Sequence, residues 1–303
     1  MVVVHTASVL QLGPSEHAEG PVWDGRDQVL MWVDQYRGLI RRARKSPSGL
    51  FQELDPFAVG MAIGALAPSS DGGWVIAAGN GFHSLRRDGS MRLIADVLPN
   101  EPPLRRMNDG KADPVGRFWA GSMSYGKEFG EGGLYRLSGD TSELMIAGVT
   151  ISNGLAWTPD ASTMYYIDTP TRTVQAFSLD PHGLGVGEVV VRVPEGAGEP
   201  DGMCIDREGR LWVALWGGRA VHCYSPNGRL LEIVEVDAVQ VSSCCFGGPL
   251  GSTLFITTSQ EDYGEAEREQ DPHAGMIFSV ETTTSAPAAA EFSAKQPVTP
   301  ERG

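Results

Sequence analysis

The 303-residue sequence predicts an all-β fold: a six-bladed β-propeller with four-stranded antiparallel blades around a central channel. Three observations support this. A turn signal followed by a short apolar run recurs six times, at Leu30, Trp74, Phe118, Met164, Leu211 and Leu254, with spacings of 43 to 47 residues. Each unit then carries further apolar or alternating runs divided by Gly, Asp, Asn and Pro. No window of a dozen residues sustains an apolar helical face without a glycine or proline breaking it.

The marker runs follow Asp24-Gly25-Arg26, Asp71-Gly72-Gly73, the turn 113–116, Pro159-Asp160, the turn 206–209 and Gly247-Gly248-Pro249. A later strand is expected in each unit at 39–44, 82–86, 133–137, 174–179, 221–224 and 276–280, and a fourth in most, at 91–95, 143–147, 189–193 and 230–236. The N-terminal segments 2–5 and 9–12 have strand character but no partner in the first unit. They are assigned to the last blade, where a closing strand removes an open edge. Residues 288–292 are expected to add a short outer strand. The predicted organisation is therefore one propeller domain over 1–294, followed by a flexible tail at 295–303.

With 38 Gly, 20 Pro and 41% hydrophobic residues, the chain is turn-rich yet has ample material for a large core. A formal charge of −14 argues against a nucleic-acid partner, whose phosphates it would repel. No transmembrane run or targeting segment is visible. Cys204, Cys223, Cys244 and Cys245 lack metal-ligand spacing and read as buried, reduced thiols, which favours the cytoplasm. The acidic run 261–267 reads as a solvated loop, and the six histidines as surface or core residues.

Within the repeat, oxygen-bearing side chains stand before a glycine at the head of equivalent segments: Glu19-Gly20, Asn153-Gly154 and Asp201-Gly202, with Asn108 and Asp109 in the third unit. An Asn-Gly or Asp-Gly pair alone is usually a turn. In a propeller, however, the first strands line the channel, so one shared register brings these groups together. Two carboxylates and an amide, completed by water, suit Ca²⁺, Mg²⁺ or Mn²⁺; zinc also accepts carboxylates.

The strings Glu-Gly-Pro-Val-Trp at 19–23, Arg-Met-Asn-Asp-Gly-Lys-Ala-Asp-Pro at 106–114, Gly-Arg-Phe-Trp-Ala-Gly-Ser-Met at 116–123 and Gly-Leu-Tyr-Arg-Leu at 133–137 resemble the gluconolactonase/regucalcin (senescence marker protein) family. Ser152-Asn153-Gly154-Leu155-Ala156-Trp157, Pro-Asp-Gly-Met-Cys-Ile-Asp at 200–206 and Ser-Cys-Cys-Phe-Gly-Gly at 243–248 extend the match, in order, to about residue 290.

The resemblance implies one divalent metal, calcium foremost, held by Glu19, Asn153 and Asp201. It also implies substrate binding by Arg106 and Asn108, with Asp201 as catalytic acid/base in the hydrolysis of a lactone. Where sugar-lactone hydrolases of the family place a glutamate after the Gly-Ser/Thr-Met string, this chain has Tyr125-Gly126-Lys127 and then Glu128. Tyr125 and Glu128 are thus the candidates for that part of the mouth. Two alternatives stay open at this level: a metal-binding propeller with a scaffold role, and hydrolysis of another ester or an organophosphate. Oligomeric state is left open.

Overall fold

The computed structural model describes residues 2–102, 104–180 and 183–294; the expected tail at 295–303 lies outside them. Among the described residues the strands form six sheets, each built on four antiparallel strands from the channel outward, so the protein is a six-bladed propeller. The inner strands are Ala18–Asp24, Ile63–Pro68, Arg105–Ala112, Ser152–Trp157, Glu199–Ile205 and Val241–Gly247. The six marker runs form the second strands, which are buried along nearly their whole length. Buried on both faces, they read as continuous apolar runs rather than alternating ones.

The core is divided by blade interface. Six apolar clusters occur among the described residues, each drawn mainly from two neighbouring blades. Met31, Val33 and Ile40 of blade one meet Ile63, Trp74 and Ile76 of blade two, for example, while Trp23 and Leu30 meet Phe255 of blade six. Trp32, Trp119 and Trp212 are fully buried second-strand side chains, each worth roughly 2–3 kcal/mol of apolar burial.

The turn aspartates anchor Trp119, Trp212 and Trp74, while Trp32 Nε1 donates to Ser15 Oγ (3.1 Å). Asp113 accepts from Arg117 Nε (2.5 Å) and Trp119 Nε1 (2.8 Å), and Asp206 accepts from Arg210 Nε (2.7 Å) and Trp212 Nε1 (2.9 Å). Asp24 pairs with Arg26 (2.7 Å) and reaches into blade two to take the indole proton of Trp74 (3.1 Å). Each carboxylate closes a turn and satisfies a buried indole at once.

Closure differs from the expectation in two places. Ser8–Val9 does pair antiparallel with Ile277–Glu281 as the outer strand of blade six. Val3–Thr6, however, runs parallel to Leu230–Glu235 as a fifth strand of blade five, covering that edge before the chain crosses to blade six. Residues 288–292 form no outer strand. Phe292 bridges Ser69, and its ring is buried in the interface of blades two and three, so the segment crosses the end of the channel. The acidic run is a loop only in part: Glu265–Gln270 is a short helix with no buried residue.

Candidate functional site

All six inner strands break register at one level of the channel: between Glu19 and Val22, Ile63 and Ala65, Met107 and Gly110, Ser152 and Leu155, Pro200 and Met203, and Val241 and Ser243. The residue-plus-glycine strings are therefore bulges inside strands rather than turns between them. A bulge re-aims a side chain, here those of Glu19, Asn108, Asn153 and Asp201. The glycines permit close approach of neighbouring blades. A Cβ on Gly154 would lie 2.7 Å from the Asp201 carbonyl oxygen, and one on Gly202 would lie 2.0 Å from Ser243 Oγ.

The loops leaving the second strands complete the site. Asp34 receives the backbone N–H groups of Glu16 and His17, and Asp168 those of Thr150 and Ile151, fixing the entry to the inner strands of blades one and four. Bridges His17–Ser259, Met123–Ile151 and Trp216–Gln240 tie successive blades at this end. The result is a cavity of about 460 Å³, including its open mouth, into which Glu19, Arg106, Asn108, Asn153 and Asp201 all face. A larger, mostly apolar cavity occupies the opposite half of the channel beneath residues 286–290; Asp109 lines that one.

The electrostatics of the site are unusual. Glu19, Asp109 and Asp201 are each at most 6% exposed. Burial, then repulsion from Asp109, pushes the Glu19 carboxyl up to about 8, against the opposing pull of the Gly20 N–H and Arg106. Asp201 is driven well above the carboxylate range by burial and then by Glu19 and Asp109. Asp109 is raised by burial, with Lys111 and the Gly110 N–H opposing. Glu19 receives one hydrogen bond, from Gly20 N–H at 2.9 Å, and among the described residues no donor reaches the Asp201 carboxylate.

The amides are better satisfied. Asn153 donates from Nδ2 to Thr169 Oγ1 (2.8 Å) and accepts at Oδ1 from Asn108 Nδ2 (2.9 Å), which leaves an Oδ1 lone pair unused. Asn108 also donates to the Ser152 carbonyl (2.8 Å) and accepts from Gln35 Nε2 (3.3 Å) and Arg106 Nη1, so its hydrogen-bonding capacity is filled by protein groups. Arg106 Nη2 donates to the Tyr36 hydroxyl (3.1 Å), and its guanidinium lies over the rings of Tyr36 and Tyr125, 5.2 and 6.0 Å from the centroids. Arg106 Nε has no hydrogen-bond partner among the described residues.

The structure thus brings Glu19, Asn153, Asp201, Arg106 and Asn108 to one cavity and sets Tyr125 beside Arg106 at its rim. Glu128 is not among the lining residues. Its carboxylate turns back to the Ser124 hydroxyl within its own loop, and Lys127 lines the cavity instead. Glu261, expected in a solvated acidic loop, and His17, expected as a surface or core residue, both line the cavity, as do Glu199 and Trp216. Burial lowers His17 to about 4, with Glu261 opposing. A usable signal existed: inner strands begin where second strands end, so residues just past the second strands share the rim.

No group of three or more His, Cys, Asp or Glu side chains arranged to hold a metal occurs among the described residues. The set here is two carboxylates and an amide oxygen. Buried carboxylates without compensating donors form the environment that a hard cation stabilises, so this donor set fits one.

The SMP-30/Gluconolactonase/LRE-like region matches residues 17–260, spanning every one of these residues except Glu261. The chain belongs to that family. Among its relatives, one named 6-deoxy-6-sulfogluconolactonase, from Pseudomonas putida, is 31% identical over 281 residues, covering 92% of this chain and 94% of the relative. Regucalcin of Danio rerio is 37% identical, covering 88% and 90%. A crystal structure of regucalcin from Agrobacterium tumefaciens, described as a calcium-binding protein, superposes with a TM-score of 0.89 at 26% identity, covering 96% of this chain and 99% of that one. No helix among the described residues is long and apolar enough to cross a membrane.

Proposed function

We propose that this SMP-30/gluconolactonase protein hydrolyses a lactone, using one divalent cation held by Glu19, Asn153 and Asp201, with Asp201 as general base and acid. The observation that carries the reading is the pair of buried carboxylates, Glu19 and Asp201, neither of them in a salt bridge among the described residues, beside an amide oxygen and facing the cavity that holds Arg106. The lactonase named among the relatives supports the substrate class, and the calcium-binding neighbour supports the ion. Oxygen donors of this kind favour calcium over zinc, with magnesium or manganese as substitutes.

When bound, such an ion supplies positive charge that keeps the carboxylates ionised and Lewis acidity at the lactone carbonyl. The chain's own residues supply the rest. Asp201, free of hydrogen-bond donors, has lone pairs available to take a proton from an attacking water and return it to the leaving ring oxygen. Arg106, which lines the cavity and has an Nη2 hydrogen beyond the one given to Tyr36, offers a donor to the negative charge that develops on the carbonyl oxygen. Asn108 serves the substrate through its neighbours: it holds Arg106 Nη1 on one side and Asn153 Oδ1 on the other.

The test is a panel of γ- and δ-lactones, simple esters and organophosphates, assayed with calcium and with excess chelator. Calcium-dependent ring opening supports the proposal. Tight calcium binding with no turnover of any substrate would instead support the scaffold.

A further inference from the structure

Glu261 lies in the loop between the second strand of blade six and the short helix, yet its side chain is only 13% exposed. Its position is fixed from the backbone. Glu261 N–H donates to Ser259 Oγ (2.8 Å), which also meets His17 Nδ1 (2.6 Å) where blades six and one join. From there its carboxylate accepts the Tyr36 hydroxyl proton at 2.7 Å, with Lys127 Nζ 3.6 Å away and His17 Nδ1 at 4.0 Å.

A phenol has one proton. With that proton directed to Glu261, the Tyr36 oxygen presents lone pairs to Arg106 Nη2. Arg106 is then held at two ends, by Tyr36 and by Asn108, and stacked on the Tyr36 ring. Without the Glu261 carboxylate, the phenol proton is free to turn toward the guanidinium and replace attraction with repulsion. The electrostatic surroundings agree. Burial raises Glu261, but His17, Tyr36, Lys127 and Arg106 outweigh it and hold the carboxyl below its usual range, so it is charged at neutral pH.

We infer that Glu261 is a positioning residue for lactone hydrolysis: through the Tyr36 hydroxyl it orients the Arg106 guanidinium that faces the substrate carbonyl. The inference rests on the proposed lactonase reading. It brings blade six into the catalytic apparatus, because Glu261 lies between the second and third strands of blade six, while Tyr36 belongs to blade one and Arg106 to blade three.

The test is a double-mutant cycle on the full chain with calcium supplied, using glucono-δ-lactone or whichever lactone of the panel is turned over. Loss of one charge-assisted hydrogen bond predicts that Glu261→Ala lowers kcat/KM roughly ten- to hundredfold, mostly in kcat. Tyr36→Phe should lose about as much, and Glu261→Ala in the Tyr36→Phe background should cost little further, because its route to Arg106 is already cut. Glu261→Gln, which keeps an accepting oxygen, should recover part of the activity and guards against a folding defect in the alanine variant. Lys127→Met should leave the coupling intact. Independent, multiplicative losses, or no loss, in an active wild-type background overturn this inference alone. A wild-type protein inactive on every lactone overturns the proposed function and this inference with it.

Discussion

Asn108 Nδ2 donates to Asn153 Oδ1 at 2.9 Å, joining the inner strands of blades three and four across the floor of the cavity. Because Asn153 Nδ2 is committed to Thr169, this bond fixes which face of the amide is presented: an oxygen with a spare lone pair beside Glu19 and Asp201. In the proposed reading, the orientation of this candidate metal ligand is therefore set by a residue outside the metal-binding set.

Asn108→Ala tests that dependence. It leaves Arg106 Nη1, the Ser152 carbonyl and Asn153 Oδ1 each short of a partner, so unfolding in urea should show a loss of about 1–3 kcal/mol. Calcium affinity measured by titration calorimetry should also fall roughly tenfold or more, as when other supporting partners of metal ligands are removed.

The bulge glycines give a second prediction, with an internal control. Gly154→Ala places a methyl group 2.7 Å from the Asp201 carbonyl oxygen and 2.8 Å from Met203 Cβ, and should destabilise by about 1–3 kcal/mol. Gly25→Ala has nothing within 4 Å of its added Cβ and should stay within about 0.5 kcal/mol of wild type in the same urea experiment.

Much of this arrangement was legible because a propeller repeats. The spacing of the six markers placed Glu19, Asn153 and Asp201 at one level, since any residue in a fixed register of the inner strand recurs at a fixed height. What the repeat did not carry were features that break it. Val3–Thr6 pairs with the outer strand of blade five, a contact between distant parts of the chain that no repeat spacing encodes. Glu261 was hidden inside a charge run, where composition says "solvent"; the Ser259–His17 junction and the Tyr36 hydroxyl turn it inward. Glu128 was chosen by proximity in sequence, but Ser124 draws its carboxylate back into its own loop.

The carboxylates predict how stability depends on pH. Glu19 in the folded protein sits at about 8, above the ordinary carboxylate value, so its contribution is fully present when it is protonated in both states and is lost as pH rises through about 8. Asp201 and Asp109 shift in the same direction. Chelator-treated protein should therefore lose thermal stability between about pH 5 and pH 8. The rise in Tm on adding calcium should be larger at pH 8 than at pH 5.5. Differential scanning fluorimetry at matched ionic strength measures both.

Phe292 reports on the chain end that crosses the channel. Its ring is 2% exposed in the interface of blades two and three, and its backbone pairs with Pro68 and Ser70. Phe292→Ala should cost about 3–5 kcal/mol in urea unfolding, the range for a buried aromatic, whereas a loosely attached segment would tolerate it.

The central claim is that Asp201 both holds the cation and moves the proton. The most direct measurement is turnover of the lactone panel by Asp201→Asn, with calcium supplied above its binding constant and binding followed in parallel by calorimetry. The account predicts weakened but measurable calcium binding, an intact fold and turnover reduced by at least about a hundredfold, since the amide still offers an oxygen but accepts no proton. Turnover near that of wild type in calcium-loaded Asp201→Asn would contradict it.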